Sequence, residues 1–268
     1  MIANNANQVD QYFSELKTLT LGIASGTAEL LETGQAVTDD DLESVMARYF
    51  NATAKDLNIL EMYVGLESTG KVGTGGDWVE KPDYDARKRP WYIQAVQEDK
   101  VILTAPYVDA NTGGLVITVA TPVKSTSGKL LGVAGIDVDL KTLSDMITSY
   151  KVFGKGYGFL LDREGNTICH PKSEMIMKEN ISKPSSLVSE EYARAGQVIL
   201  STKPGGFVDY KFLGEGRRNF FYHSRWGFVV CVVFPIADLN RMVMSVALKQ
   251  LALGLFTLLV LVGMLWWL

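Results

Sequence analysis

The residues best equipped for chemistry fall in one run, Asp83-Tyr84-Asp85-Ala86-Arg87-Lys88-Arg89-Pro90-Trp91-Tyr92, with Tyr107 and Asp109 beyond it and Asp137 further on. Arg89 offers a planar guanidinium fork that matches a carboxylate, and Trp91 adds a single indole donor. The hydroxyls of Tyr84, Tyr92 and Tyr107 can donate or accept, whereas ionised Asp109 and Asp137 only accept and suit an ammonium. A zwitterion with carboxylate and ammonium on one carbon needs both halves close together. This stretch of chain contains both.

Each piece also has a plainer reading. Arg87, Lys88 and Arg89 alone make a solvated basic turn, Trp91 with Tyr92 makes a hydrophobic anchor, and Asp109 ahead of Asn111-Thr112-Gly113-Gly114 makes a turn residue that bonds its own backbone. Asp137 is harder to set aside. It stands between Gly135-Ile136 and Val138 in an apolar run, where a carboxylate is partly buried and costly unless it meets a donor or a cation. Further pocket residues are expected between Leu57 and Gly76 and near Leu115 to Thr118.

Other chemistries find no support. Gly154-x-Gly156-x-Gly158 has its third glycine one residue early for a dinucleotide loop and no strand ahead of it. No serine elbow, phosphate-cradling lysine loop or His-Glu-x-x-His motif occurs, so the chain does not read as an enzyme and no cofactor is implied. Cys169 and Cys231 are too few for a disulfide framework. Cys169 and His170, adjacent on a strand, point to opposite faces and could hardly share a metal, so no metal site is assigned. With 26 Lys and Arg against 30 Asp and Glu, a net charge of −4, nucleic acid is not an expected partner.

The elements that must hold these residues can be read from periodicity and punctuation. Apolar residues near helical spacing predict a long helix from Val9 to Glu32, stopped at Gly34, and Thr38 with Asp39 to Asp41 opens a second helix. A strand is expected over Leu57 to Leu66, a glycine-rich turn over Gly70 to Gly76, a short helix over Pro90 to Gln97 and a strand over Val101 to Tyr107. Leu115 to Pro122 and Leu130 to Val138 form a hairpin about Ser125 to Gly128, followed by a helix over Leu140 to Tyr150. A second unit begins near Val152, with strands at Gly158 to Asp162, Thr167 to His170, Gly206 to Phe212, Asn219 to Ser224 and Gly227 to Phe234. The helix from Ile236 to Gln250 then runs without a breaker into Leu251 to Leu268, where 15 of 18 residues are hydrophobic and none is charged. A run of that length is about the minimum that crosses the roughly 30 Å core of a bilayer, and Trp266 and Trp267 suit its interfacial belt. Met1 to Asp10 is not a signal peptide, and the chain reads as a fragment cut at both ends.

Taken together, Tyr84 to Tyr92, Thr104-Ala105-Pro106-Tyr107-Val108-Asp109, Val119-Ala120-Thr121-Pro122-Val123 and Gly132-Val133-Ala134-Gly135-Ile136-Asp137-Val138 resemble the double Cache domain of bacterial methyl-accepting chemoreceptors, in its amino-acid-binding subset. The resemblance runs from the first long helix to the apolar tail. It implies an α/β (α+β) chain with a long N-terminal helix, two tandem PAS-like antiparallel-sheet modules and a C-terminal transmembrane helix. The implied divisions are a stalk or dimer helix at 1–37, a membrane-distal ligand-binding module at 38–150, a membrane-proximal module at 151–235, and a helix at 236–268 containing the span 251–268. Carried over, Arg89, Trp91 and Tyr92 hold a ligand carboxylate, while Tyr84, Tyr107, Asp109 and Asp137 surround its amine. Arg89 discriminates, because an amine ligand without a carboxylate has no use for it. The resemblance further implies a homodimer through the N-terminal helix, a place in the bacterial inner membrane with the ligand-binding part in the periplasm or outside the cell, and cytoplasmic signalling partners. A sensor for another amine or organic acid, and the input domain of a sensor histidine kinase or diguanylate cyclase, remain the alternatives.

Overall fold

The computed structural model describes residues 2–34, 39–76, 78, 80–151 and 154–267. Helix α1 (Ile2–Thr33) turns Val9, Phe13, Leu16 and Ile23 inward, at steps of three, four and seven residues that keep one stripe facing the core. It is longer than its periodicity predicts, because the turn before Val9 also buries Ala6. Helix α2 is Asp39–Leu57. The expected openings at Thr38 and near Val152 lie outside the described residues.

Two antiparallel sheets follow. The first has the order β2-β1-β6-β5-β3, with β4 also paired to β5; its strands are β1 (Glu61–Leu66), β2 (Val72–Thr74), β3 (Ile102–Leu103), β4 (Tyr107–Val108), β5 (Leu115–Lys124) and β6 (Leu130–Asp139). Side chains alternate across it with the two-residue period of a strand. Met62, Val64, Ile117, Val119, Ile136 and Val138 pack toward α1 and α2. The intervening Tyr63, Ala120 and Val133 face a second cluster with Trp91, Tyr92 and Ala95 of α3 (Pro90–Glu98). Covered on both faces, β5 and β6 read as nearly continuous apolar runs, and Asp137 belongs to the less apolar of the two.

The second sheet has the order β8-β7-β11-β10-β9, from β7 (Tyr157–Leu161), β8 (Thr167–Cys169), β9 (Gly205–Phe212), β10 (Glu215–His223) and β11 (Val229–Pro235). Helix α4 (Leu140–Thr148) leads into it and α5 (Glu190–Ser201) covers it, with Ser189 capping α5 through the backbone N–H of Tyr192. Asp10 of α1 ties the two halves together. Buried, it accepts from Ser224 Oγ at 2.5 Å and from the Arg225 backbone N–H at 3.0 Å.

Several boundaries differ from the sequence reading for local reasons. The strand expected from Leu57 begins at Glu61, because α2 runs to Leu57 and Asn58 breaks it in the left-handed region, φ 51°. The strand expected over Val101 to Tyr107 divides into β3 and β4 around Thr104-Ala105-Pro106, where proline has no N–H to give. The glycine-rich stretch Gly70 to Gly76 is not all turn, since Val72–Thr74 pairs with β1. Helix α5 has no counterpart in the sequence reading. Helix α6 (Ile236–Trp267) follows β11 directly, and its stretch Ile236–Met264, 29 residues with mean hydropathy 2.0 and none buried, is long and apolar enough to cross a bilayer.

Candidate functional site

The site is built on the inner row of the first sheet. In register, Glu61 of β1 lies opposite Asp137 of β6, which lies opposite Thr118 of β5. Opposed residues of antiparallel strands share a face, so the three side chains form one row. Tyr63, two residues along β1, points the same way and lies opposite Gly135. A Cβ at Gly135 would stand 2.4 Å from Tyr63 Cε2, so glycine there lets the ring lie flat across β6 and bring its hydroxyl to Asp137.

Asp137 is 3% exposed and accepts from Tyr63 Oη at 2.6 Å and Thr118 Oγ1 at 2.5 Å. Tyr107 Oη lies 2.7 Å from Thr118 Oγ1 and 3.5 Å from Asp137 Oδ1, which extends the chain of hydroxyls from β4. Burial disfavours the charged carboxylate and pushes its pKa up to about 7, against the lowering effect of the Thr118 and Tyr63 hydrogen bonds; the negative charges of Asp109 and Glu61 add to the rise. Three hydroxyls thus serve a carboxylate that has no cationic partner among the described residues. Burial, the first cause in each case, raises the pKa of Tyr63 and of Tyr107, and both stay neutral donors near neutral pH.

The opposite wall comes from the segment after β2. Asp85 caps a short 3₁₀ turn (Ala86–Lys88), accepting from the Arg87 backbone N–H, and Pro90 occupies the first turn of α3, where its missing N–H costs nothing. Arg89 sits between the two helices in extended conformation and caps neither through its side chain. Its guanidinium is therefore free to cross to β4, where Nη2 donates to Val108 O at 2.8 Å. The charged carbon lies 5.6 Å from the Tyr107 ring centre and 6.0 Å from that of Tyr84, within cation–π range. Trp91, 2% exposed, packs 4.8 Å from Tyr63, and a Cβ at Gly65 would meet its Cη2 at 2.8 Å, so this glycine admits the indole against β1.

Between these walls is a cleft of about 40 Å³. Tyr84, Arg89, Trp91, Tyr107, Asp109 and Asp137 all line it, together with Leu60, Glu61, Tyr63, Trp78, Ala110 and Asn111. Six of the seven residues singled out in the sequence meet there. Tyr92 does not line it. One step beyond Trp91 on a helix, it is turned by about 100°, and its hydroxyl donates to Glu67 Oε2 at 2.7 Å instead. Asp109 keeps the turn function open to it, because Oδ2 accepts from the backbone N–H groups of Asn111 and Thr112, at 3.2 and 2.7 Å, while the residue also lines the cleft.

A family model for the Cache domain matches residues 1–242. The chain belongs to the Cache domain family. The methyl-accepting chemotaxis protein McpA of Pseudomonas putida is 44% identical to this Cache domain over 128 residues, covering 45% of this chain and 19% of McpA. The chain spans about a fifth of the length of the curated relatives it matches. Among solved structures, the ligand-binding domain of the Pseudomonas fluorescens chemoreceptor CtaA in complex with L-serine superposes with a TM-score of 0.68 at 22% identity, over 88% of this chain and 94% of that one. The ligand-binding domain of the Pseudomonas aeruginosa amino acid chemoreceptor PctB in complex with L-Arg gives 0.67 at 23% identity, over 95% and 96%. At these identities the likeness shows the double-module fold.

Within this Cache domain several of the residues that sequence reading missed are supplied by strand pairing. Leu60, Glu61 and Tyr63 fall inside the stretch Leu57 to Gly76 where further pocket residues were expected, and Thr118 closes the other such stretch. Nothing in those stretches singled them out, because no local signal says which β1 residue lies opposite Asp137. Trp78 and Asn111 lie outside both; Trp78 stacks edge-on against Tyr84 at 4.7 Å.

Proposed function

We propose that this Cache domain is the extracytoplasmic sensor of a bacterial chemoreceptor and that the cleft binds an L-α-amino acid. Arg89 and the Trp91 indole take the carboxylate, while Asp137, Asp109 and the hydroxyls of Tyr84 and Tyr107 take the ammonium. The observation that carries this reading is the polarity of the cleft: a guanidinium that donates to Val108 O through one of its five N–H groups, and across from it a buried carboxylate that hydroxyls stabilise and that no cation among the described residues neutralises. A zwitterion supplies a partner to each. Chemotaxis relatives and the amino-acid-bound structures of similar fold favour the same ligand class.

In this reading residues 38–150 form the membrane-distal binding module, 151–235 the membrane-proximal relay, and α6 the path into the inner membrane, with the binding module on the periplasmic or outer side. The outward face of α1 is the seam of a homodimer, and cytoplasmic partners receive the signal. Ligand shifts the balance between two arrangements only by its difference in affinity for them. The output is a small displacement of α6, which joins β11 without a linker.

Isothermal titration of the whole chain in detergent micelles against the twenty amino acids tests the proposal. At least one L-amino acid is expected to bind, and Arg89→Ala to weaken it about 30-fold or more, since removing one member of a desolvated charge pair costs roughly 2–5 kcal/mol. Binding of a polyamine or an organic acid alone would overturn the amino-acid reading, and undiminished binding by the variant would remove Arg89 from the site.

A further inference from the structure

We infer that Glu61 makes the cleft selective for α-amino acids whose side chain carries a second cation, such as lysine or ornithine, over neutral side chains of the same length. The inference rests on the amino-acid reading above and extends it to the ligand's side chain.

It begins with charge. The cleft is lined by three carboxylates, Glu61, Asp109 and Asp137, and by one guanidinium, Arg89. Among the described residues, no lysine or arginine forms an ion pair with any of the three acids. Lys81 is exposed and donates to Ala110 O at 3.2 Å, and it does not line the cleft. An amino acid with a neutral side chain brings one charge of each sign, so it satisfies Arg89 and one carboxylate and leaves the surplus of negative charge unchanged. A second cation on the ligand reduces it.

Geometry then points to Glu61. Asp109 has Oδ2 committed to its own turn, and Asp137 lies deepest, ringed by hydroxyls. Glu61 is Asp137's direct neighbour across the β1–β6 pair, and like charges opposed in a sheet are unfavourable unless something between or beside them is positive. Its Oε1 accepts from the backbone N–H groups of Met62 and Gly76, at 2.9 and 2.8 Å, which fixes the carboxylate at the edge of the cleft before any ligand arrives. Burial raises the Glu61 pKa, as expected for a carboxylate kept without a cation. The rings of Trp78, Tyr84 and Tyr107 along the same walls also favour positive charge over neutral atoms.

A structural clamp is the competing explanation, because Glu61 also holds the β1–β2 loop. Glu61→Gln separates the two, since glutamine keeps an acceptor oxygen for Met62 and Gly76 while it removes the charge. The whole chain in detergent is titrated with L-lysine and with L-norleucine, which matches its length without the ammonium. The wild type is expected to bind lysine at least tenfold tighter than norleucine, and Glu61→Gln to lose at least tenfold for lysine while norleucine changes less than threefold. Equal losses for both ligands, or norleucine binding as tightly as lysine in the wild type, would overturn the inference and leave the amino-acid reading standing. Should the wild type bind no amino acid, both fall together. If a thermal melt shows that the variant does not fold, norleucine binding as tightly as lysine in the wild type still overturns the inference.

Discussion

Asp137→Asn should make the protein more stable and blind. A pKa raised from 3.8 to about 7 means that the folded chain holds the proton more tightly than the unfolded one. The shift is about three units, each worth roughly 1.4 kcal/mol, so ionised Asp137 costs the fold on the order of 4 kcal/mol at most. The sign follows from the direction: because the folded pKa is the higher, this stability is fully present below pH 4 and is lost as pH rises through about 7. Asparagine keeps the shape, still accepts from Tyr63 and Thr118, and carries no charge. Its amide N–H₂ needs a new partner, which trims the gain to about 1–3 kcal/mol. Thermal unfolding of wild type and variant between pH 4 and 8 checks this. The variant's advantage should be small at pH 4 and should grow to a plateau above pH 7, while titration of the same variant at pH 8 shows binding lost. An advantage independent of pH, or a variant less stable throughout, would refute the claim that the Asp137 charge is uncompensated in the empty cleft.

The same pKa makes binding pH-dependent in the wild type: an ammonium needs the ionised carboxylate, so affinity should fall about tenfold from pH 8 to pH 6, readable by titration at the two pH values. Gly135→Ala puts a methyl 2.4 Å from Tyr63 Cε2; it should cost about 1–3 kcal/mol in unfolding experiments and weaken binding by displacing the Tyr63 hydroxyl from Asp137. Tyr92→Phe removes the bond to Glu67 and nothing from the cleft, so melting should show a loss of about 1 kcal/mol with affinity unchanged within twofold.

A carboxylate that costs stability is intelligible at a binding site, where strain is relieved by the ligand. The cleft places it where two sequence signals meet: an acid in an apolar strand, and an arginine beside a helix-starting proline. Arg89 was legible because its guanidinium fork stands in one short run with Tyr84 and Trp91. Asp137 was legible because a carboxylate inside an apolar run is costly unless it meets a donor or a cation. The second sheet's helix α5 was less visible, since its buried face is made largely of Tyr192, Ala193, Ala195 and Gly196 rather than of bulky aliphatic residues.

What the amino-acid sequence determined by itself is therefore what local periodicity and composition carry: the long first helix, the hairpin of β5 and β6, the apolar helix at the end, and six of the residues that line the cleft. Only the tertiary structure decided which neighbours those residues have. Pairing register set Glu61 and Thr118 on either side of Asp137, and helix rotation carried Tyr92 out of the cleft while Trp91 stayed in it. The reason is physical: a side chain's face follows from its own strand or helix, but what stands opposite is fixed by how separate elements pair and pack, and no short stretch of chain encodes that alone.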